Sequence, residues 1–387
     1  MTRVTVHEYA VAVRQRYRRA GKKEKGRILD EFCAATGMHR KAATRLLGRS
    51  VRLAPVPKSK GRPGYGPAVT EVLVKVWEAG DRMCGKLLVG AMPALVSGLE
   101  RHGELRLAER ERRGLLAMSA ATIDRRLRGW RKHLGRQPRR QTPATTTLKG
   151  QIPIRTWGEW EDVQPGSLQA DLVLHCGESS EGFYLATLTS IDVASGWTEL
   201  QALWGMHQEK VGAGLQLTRA RLPFQLRELH TDNGGEFINH ALRDWCLKRG
   251  VSFTRGRGYK KNDQAYVEQR NWLAVRRKVG YDRYSSKLAL AALDRLYRLV
   301  TLQMNYLRPL RKLVRKERRG SRVHKEYDAP QTPYQRLLES GIISGESRRR
   351  LEERFLAINP AGLQRSIDNS LRDLWSLNDK SERARAG

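Results

Sequence analysis

The sequence predicts a basic, helical N-terminal part followed by a mixed α/β sheet domain, and three observations lead to that expectation. Apolar residues recur at helical spacing in the first 134 residues. Alternating, β-rich runs begin at Gln169 and interleave with helical stretches to about residue 280. Charge divides the chain in the same way: the surplus of basic residues is +22 over residues 1–150, +1 over 151–280 and +10 over 281–387.

Composition narrows the partners. The chain of 387 residues carries 73 Lys+Arg against 40 Asp+Glu, a formal net charge of +33. A surplus of that size calls for a polyanion, most simply nucleic acid. The longest clean apolar run, Leu87 to Val96, is too short to cross a bilayer, and MTRVTVHEYA lacks the basic-then-apolar pattern of a secretion signal. The expected location is therefore cytoplasmic, with the nucleoid. Cys33, Cys84, Cys176 and Cys246 have no metal-ligand spacing, which fits free thiols in a reducing compartment.

The elements follow in order. In residues 24–47, Ile28, Leu29, Phe32 and Cys33 define one helix, Gly37 breaks it, and Arg40 to Leu47 starts another. That is a helix-turn-helix layout over residues 1–50, with Arg40, Lys41, Thr44 and Arg45 as candidate DNA contacts; a helical hairpin with solvated charges fits equally well. Residues 51–67 form a Pro/Gly/basic linker. Residues 68–135 are helical, and Ser119 is a good N-cap for a second candidate recognition helix bearing Arg125 and Arg126. A polar, basic linker spans 136–164. Strands are expected at Gln169–Cys176, Phe183–Val193 and Trp197–Trp204, with ASG as the turn between the last two. A helix (208–220), a strand (226–231), a helix (236–249), a strand (251–254) and a helix from Gln264 complete the sheet domain. The region 306–387 is expected to be basic and helical.

Three acids stand out. Asp171 lies in the first strand, Asp232 ends a later one in HTDNGGEF, and Glu268 lies one turn into the helix after RGRGYKKND. Asp192 is a rival for the first position. For Asp232 the plainer reading is turn chemistry: Asn and Gly supply the angles, and Glu236 favours the dipole of the helix that follows. Phosphodiester chemistry uses carboxylates gathered from several elements, because two divalent ions held by hard oxygens activate the attacking oxygen and stabilise the leaving one.

In this set the chain resembles the retroviral-integrase-like branch of the DDE transposases. The resemblance rests on ADLV with Asp171, DVASGWTEL, HTDNGGEF with Asp232, a gap of 35 residues, and Gln264 ahead of YVEQRNW with Glu268, over roughly residues 165–305. It implies an RNase H-like core with a mixed five-stranded sheet, preceded by all-α helix-turn-helix modules. It implies a transposase that cuts DNA ends and transfers the 3′-hydroxyl into target DNA. Asp171, Asp232 and Glu268 are then the catalytic metal ligands, for two Mg2+ or Mn2+ ions, and a homodimer or larger assembly works on DNA. Lys260, Lys261, Gln264, Arg276 and Arg277 are further candidate DNA contacts. The chain departs from the pattern in having Gln169-Ala170 before the first Asp, where a Trp is frequent. It also has Trp272 and Val275 where lysines follow the Glu in retroviral members. A silent DNA-binding regulator and a nuclease of the same fold are the alternatives.

Overall fold

The computed structural model describes residues 3–48, 65–131, 163–256, 264–319 and 322–379. It divides into two compact units, Met1–Gly64 and Tyr65–Gly387.

The first unit is helical: α1 (Arg3–Arg19), α2 (Lys22–Thr36) and α3 (Arg40–Gly48). Sequence periodicity had assigned no element to α1. Its Ala10 and Tyr17 pack with Ile28, Leu29 and Phe32 of α2 and with Ala43 and Leu47 of α3, and Tyr9 stacks on Phe32. Gly37 ends α2 in the left-handed region at φ 67°, its N–H donating to the Cys33 carbonyl, the angle at which glycine escapes a Cβ clash.

The second unit begins with α4 (Pro67–Ala79), α5 (Gly85–Arg101), α6 (Glu109–Leu116), α7 (Ala120–Arg126) and α8 (Arg128–Arg131). Ser119 caps α7 as expected, accepting from Thr122 N. Gly85 must be small: a Cβ there would fall 2.4 Å from the Ala120 carbonyl oxygen, so α5 and α7 cross in contact.

A sheet of five strands follows: β1 (Ser167–Leu174), β2 (Ala186–Asp192), β3 (Thr198–Leu203), β4 (Glu228–Thr231) and β5 (Ser252–Arg255), in the order β3-β2-β1-β4-β5. β2 runs antiparallel to β1 and β3, whereas β1, β4 and β5 are parallel. This mixed sheet is the RNase H-like arrangement the resemblance implied. β2 and β3 are buried along their whole length because both faces are covered. One core holds Leu168, Leu188 and Leu229 with Val211 and Leu215 of α9 (Gln208–Arg221) and Leu242 and Cys246 of α10 (His240–Leu247).

The chain then enters α11 (Ala265–Arg270), a π-helical stretch (Asn271–Arg276), α12 (Arg277–Val279), α13 (Lys287–Leu302) and a second π-helical stretch (Gln303–Leu307). A hairpin of β6 (Leu313–Arg319) and β7 (Arg322–Tyr327) leads to α14 (Pro333–Glu339), α15 (Gly345–Ala357) and α16 (Pro360–Trp375). A second core joins these C-terminal helices to α4–α7: Leu73, Leu88, Leu95 and Ile123 share it with Leu293, Leu296, Ile367 and Leu374.

Two expectations are corrected. The 306–387 region is not wholly helical, since LVRKERR and RVHKEY pair as an antiparallel ribbon. Charged residues dominate both strands and their valines, Val314 and Val323, are exposed, so no apolar alternation marks them in the sequence. The helix after HTDNGGEF starts at His240 rather than Glu236, because Asn239 takes the N-cap and accepts from Leu242 N.

Candidate active site

The strand register brings the first two acids together. β1 and β4 pair in parallel as far as Ala170 opposite Thr231. Asp171 is the next residue of β1 and stays within the sheet opposite Thr189 of β2, whereas Asp232 follows directly on the end of β4, so the two lie side by side where the β1–β4 pairing stops. Asp171 is half-buried; its Oδ1 accepts from Leu172 N at 2.8 Å and its Oδ2 from Asn271 Nδ2 at 2.6 Å. Burial, then the charges of Asp232 and Glu268, push its carboxyl up to about 7.

Glu268 reaches this edge through α11. Val267 and Arg270 are buried and anchor the helix: Val267 N donates to Gln169 Oε1 at 3.3 Å, and Arg270 Nη2 donates to the Gly196 carbonyl at 3.4 Å. Glu268 is exposed and shares its helix face with Asn271, three residues on. Asn271 is the residue that sequence reasoning missed. Its one visible signal was its place one turn after the Glu.

The Asp232 turn is built from its own residues. Asp232 Oδ1 accepts from Gly234 N at 2.9 Å. Asn233 spans to the end of β5, donating to the Gly256 carbonyl and accepting from Arg255 Nη1 at 3.0 Å. A Cβ on Gly234 would meet the Glu236 carboxyl at 2.6 Å. Glu236, expected to serve the helix dipole, lies in this turn instead; burial and then the Asp232 charge raise its pKa.

Asp192, the rival first acid, has other work. It is fully buried, its Oδ1 accepting from Gly166 N and its Oδ2 from Ser195 N and Oγ at 2.8, 2.7 and 2.6 Å. Those bonds hold the β2–β3 turn and use both oxygens.

Hard carboxylate oxygens close enough that Asp232 and Glu268 help raise the pKa of Asp171 are a donor set that suits a divalent cation. Asn271 Oδ1 is buried and has no partner among the described residues, a further oxygen beside Asp171. Among the described residues no group of three His, Cys, Asp or Glu side chains is drawn tightly enough to share one ion. Asp171, Asp232 and Glu268 are thus neighbours in charge, not a closed cage.

The other candidate contacts are dispersed. Arg40, Lys41, Thr44 and Arg45 are all exposed on α3, opposite buried Ala43 and Leu47. Arg40 is paired with Asp30. Arg125 is exposed and lines a hollow with Arg128 and Arg131. Arg126 turns inward instead, donating to Thr70 Oγ1 at 2.5 Å and lying over the Tyr65 ring. Arg277 pairs with Asp81, and Arg276 donates to the Leu174 carbonyl at 2.9 Å. Gln264 is buried at the start of α11. Lys260 and Lys261 lie outside the described residues.

A mixed sheet with one aspartate inside β1, another just past the end of the neighbouring β4 and a glutamate on the adjoining helix is the setting of an integrase-type catalytic core. The family described as "Integrase core domain" matches residues 163–261. An uncharacterized protein, y4rM, of Sinorhizobium fredii (strain NBRC 101917 / NGR234) is 42% identical over 329 residues, 85% of this chain and 94% of that protein. The chain belongs to the DDE transposase/integrase-like family. Among solved structures it is similar to the catalytic core domain of BIV integrase, at 20% identity over 45% of this chain and 95% of that one, with a TM-score of 0.29. It is also similar to the HTLV-2 integrase catalytic core domain in complex with magnesium, at 14% identity over 38% of this chain and 92% of that one, with a TM-score of 0.30. Among the described residues no helix is long and apolar enough to cross a membrane.

Proposed function

We propose that this protein is a DDE-type transposase that cuts the ends of a DNA element and joins the freed 3′-hydroxyl to target DNA. The supporting observation is that the parallel register sets Asp171 beside Asp232 while Val267–Gln169 and Asn271–Asp171 bonds tie the Glu268 helix to the same strand. Asp171, Asp232 and Glu268 would hold two Mg2+ or Mn2+ ions, which when bound supply activation of the attacking oxygen and charge stabilisation on the leaving one. Asn271 Nδ2 and Leu172 N bond one oxygen each of the Asp171 carboxylate and so fix its orientation. The Asn233–Gly256 and Asn233–Arg255 bonds brace the Asp232 turn against the end of β5. In the first step water displaces a 3′-oxygen from phosphorus; in the second that 3′-hydroxyl displaces the 3′-oxygen of a target strand. The exposed α3 residues Lys41, Thr44 and Arg45, with Arg125 of α7, suit recognition of the element ends in a dimer or larger complex.

The test is a strand-transfer assay with labelled DNA from the flanks of the gene and Mg2+ or Mn2+. Wild type yields joined product; Asp232→Asn and Glu268→Gln yield none and still bind the DNA. Cutting without joining would make the protein a nuclease of this fold. Binding with neither product would make it a silent regulator.

A further inference from the structure

Beside the Glu268 helix, further along its length, lies a groove of about 1270 Å³ that the proposed chemistry leaves unused. One wall is the π-helical stretch and α12, another is the end of α4 with the loop after it, and the third is α16. The π-helical stretch carries Trp272, four residues past Glu268, with 55% of its surface exposed. Trp375, on α16, is 43% exposed in the same groove. Two indoles left in water cost apolar burial that this core could otherwise take, so their exposure asks for a planar partner.

The rest of the lining says which partner. Arg276 lies over the Tyr281 ring at 4.8 Å, Lys75 and Arg82 are exposed on the facing wall, Leu105 and Leu371 supply apolar surface, and the acids Glu78, Glu104 and Asp368 also line the groove, Glu104 being paired with Arg365. Asp81 and Arg82 hold the facing loop in the left-handed region, φ 56° and 53°, an unfavourable backbone for side-chain-bearing residues. Burial raises the pKa of Asp81, but Lys278, Arg308 and Arg277 outweigh it and keep the carboxyl ionised and below its usual range. That buried cluster fixes the loop to the catalytic helix. Cations interleaved with open aromatic faces suit nucleotides whose bases are free to stack, and a paired duplex offers no such faces.

We propose that this groove binds unpaired nucleotides of a DNA strand, with a base stacked on Trp272. The proposal rests on the transposase reading for its substrate and says where a frayed or freed strand lies relative to Glu268. Position and chemistry both favour it: Trp272 is on the same helix, one turn away.

The experiment measures fluorescence anisotropy of the full chain in EDTA, with a labelled oligo(dT) of about 20 nucleotides and a blunt duplex of equal length. Trp272→Ala should weaken oligo(dT) binding roughly tenfold, in the range of one lost stacking contact, and leave duplex affinity within about twofold. Trp272→Phe should restore most of the loss. Lys75→Ala, on the other wall, should weaken oligo(dT) binding and lessen its salt dependence. Equal loss on both probes, no loss on oligo(dT), or no oligo(dT) binding by wild type would each overturn the groove assignment. Because no metal is present, those results are independent of strand joining. A protein that joins strands yet fails this test keeps the transposase reading and loses the groove.

Discussion

Asn271 orients Asp171 through a 2.6 Å bond, and orienting bonds to metal ligands are worth a tenfold to hundredfold effect on metal affinity or activity. Under the transposase reading, Asn271→Ala should therefore lower strand joining by about 10- to 100-fold and shift the Mn2+ dependence to higher concentration, as a metal titration of the assay would show. An unshifted Mn2+ curve would mean that the bond is merely structural. His175 gives a prediction about pH. It is fully buried, its Nε2 bonded to Thr187 Oγ1 at 2.7 Å, and burial, with Arg276 adding, pushes it down to about 3 from 6.5. The unfolded chain binds a proton here below pH 6.5 that the folded chain refuses until about pH 3. Stability contributed by His175 is thus complete above 6.5 and is lost as pH falls, at up to about 1.4 kcal/mol per pH unit. Thermal melts from pH 7 to 4.5 should decline more steeply in wild type than in His175→Gln; parallel declines would assign the loss to other groups.

At the scale of elements, the β2–β3 turn is a joint where several constraints coincide. Asp192 closes it, Gly196 sits at φ 79°, Arg270 of α11 bonds its carbonyl, and a Cβ on Gly196 would overlap Leu310 Cδ2. Gly196→Ala combines a left-handed backbone with overpacking and should cost about 2–4 kcal/mol in denaturant unfolding. A loss below about 1 kcal/mol would show that the turn relaxes freely. The same turn explains why Asp192 misleads in sequence: its strand-end position matches that of Asp232, and only the bonds to Gly166 and Ser195 distinguish a cap from a ligand.

For the whole molecule, the five-stranded sheet and the helices of residues 65–131 are one structure. Asp81, in the loop after α4, makes ion pairs with Arg277 and Lys278 of α12 and with Arg308. Replacing it strands three cations, two of them deeply buried, at a cost of about 3–5 kcal/mol. Asp81→Ala should therefore lower the melting temperature of the Tyr65–Gly387 unit. A melt unchanged by that substitution would show the cluster to be dispensable. No such link is visible from sequence, since Asp81 and Lys278 lie 197 residues apart.

The alternation of β1 to β3, the 35-residue gap and the acids at strand end and helix start were legible in the chain because they depend on local periodicity and on chemistry bound to particular residue types. So were the Gly37 break and the Ser119 cap, which act within a few residues. The parallel pairing of β1 with β4 was a matter for tertiary structure, and it alone makes neighbours of Asp171 and Asp232. Tertiary structure also decided the roles of Asn271, Glu236 and Asp192, the inward turn of Arg126 and Arg277, and the β6–β7 ribbon. Asn271, Arg126 and Arg277 find partners far along the chain, Asp192 and Glu236 are set by burial in the folded sheet as well as by near neighbours, and the highly charged ribbon carries no alternation; no spacing rule within one segment holds that information.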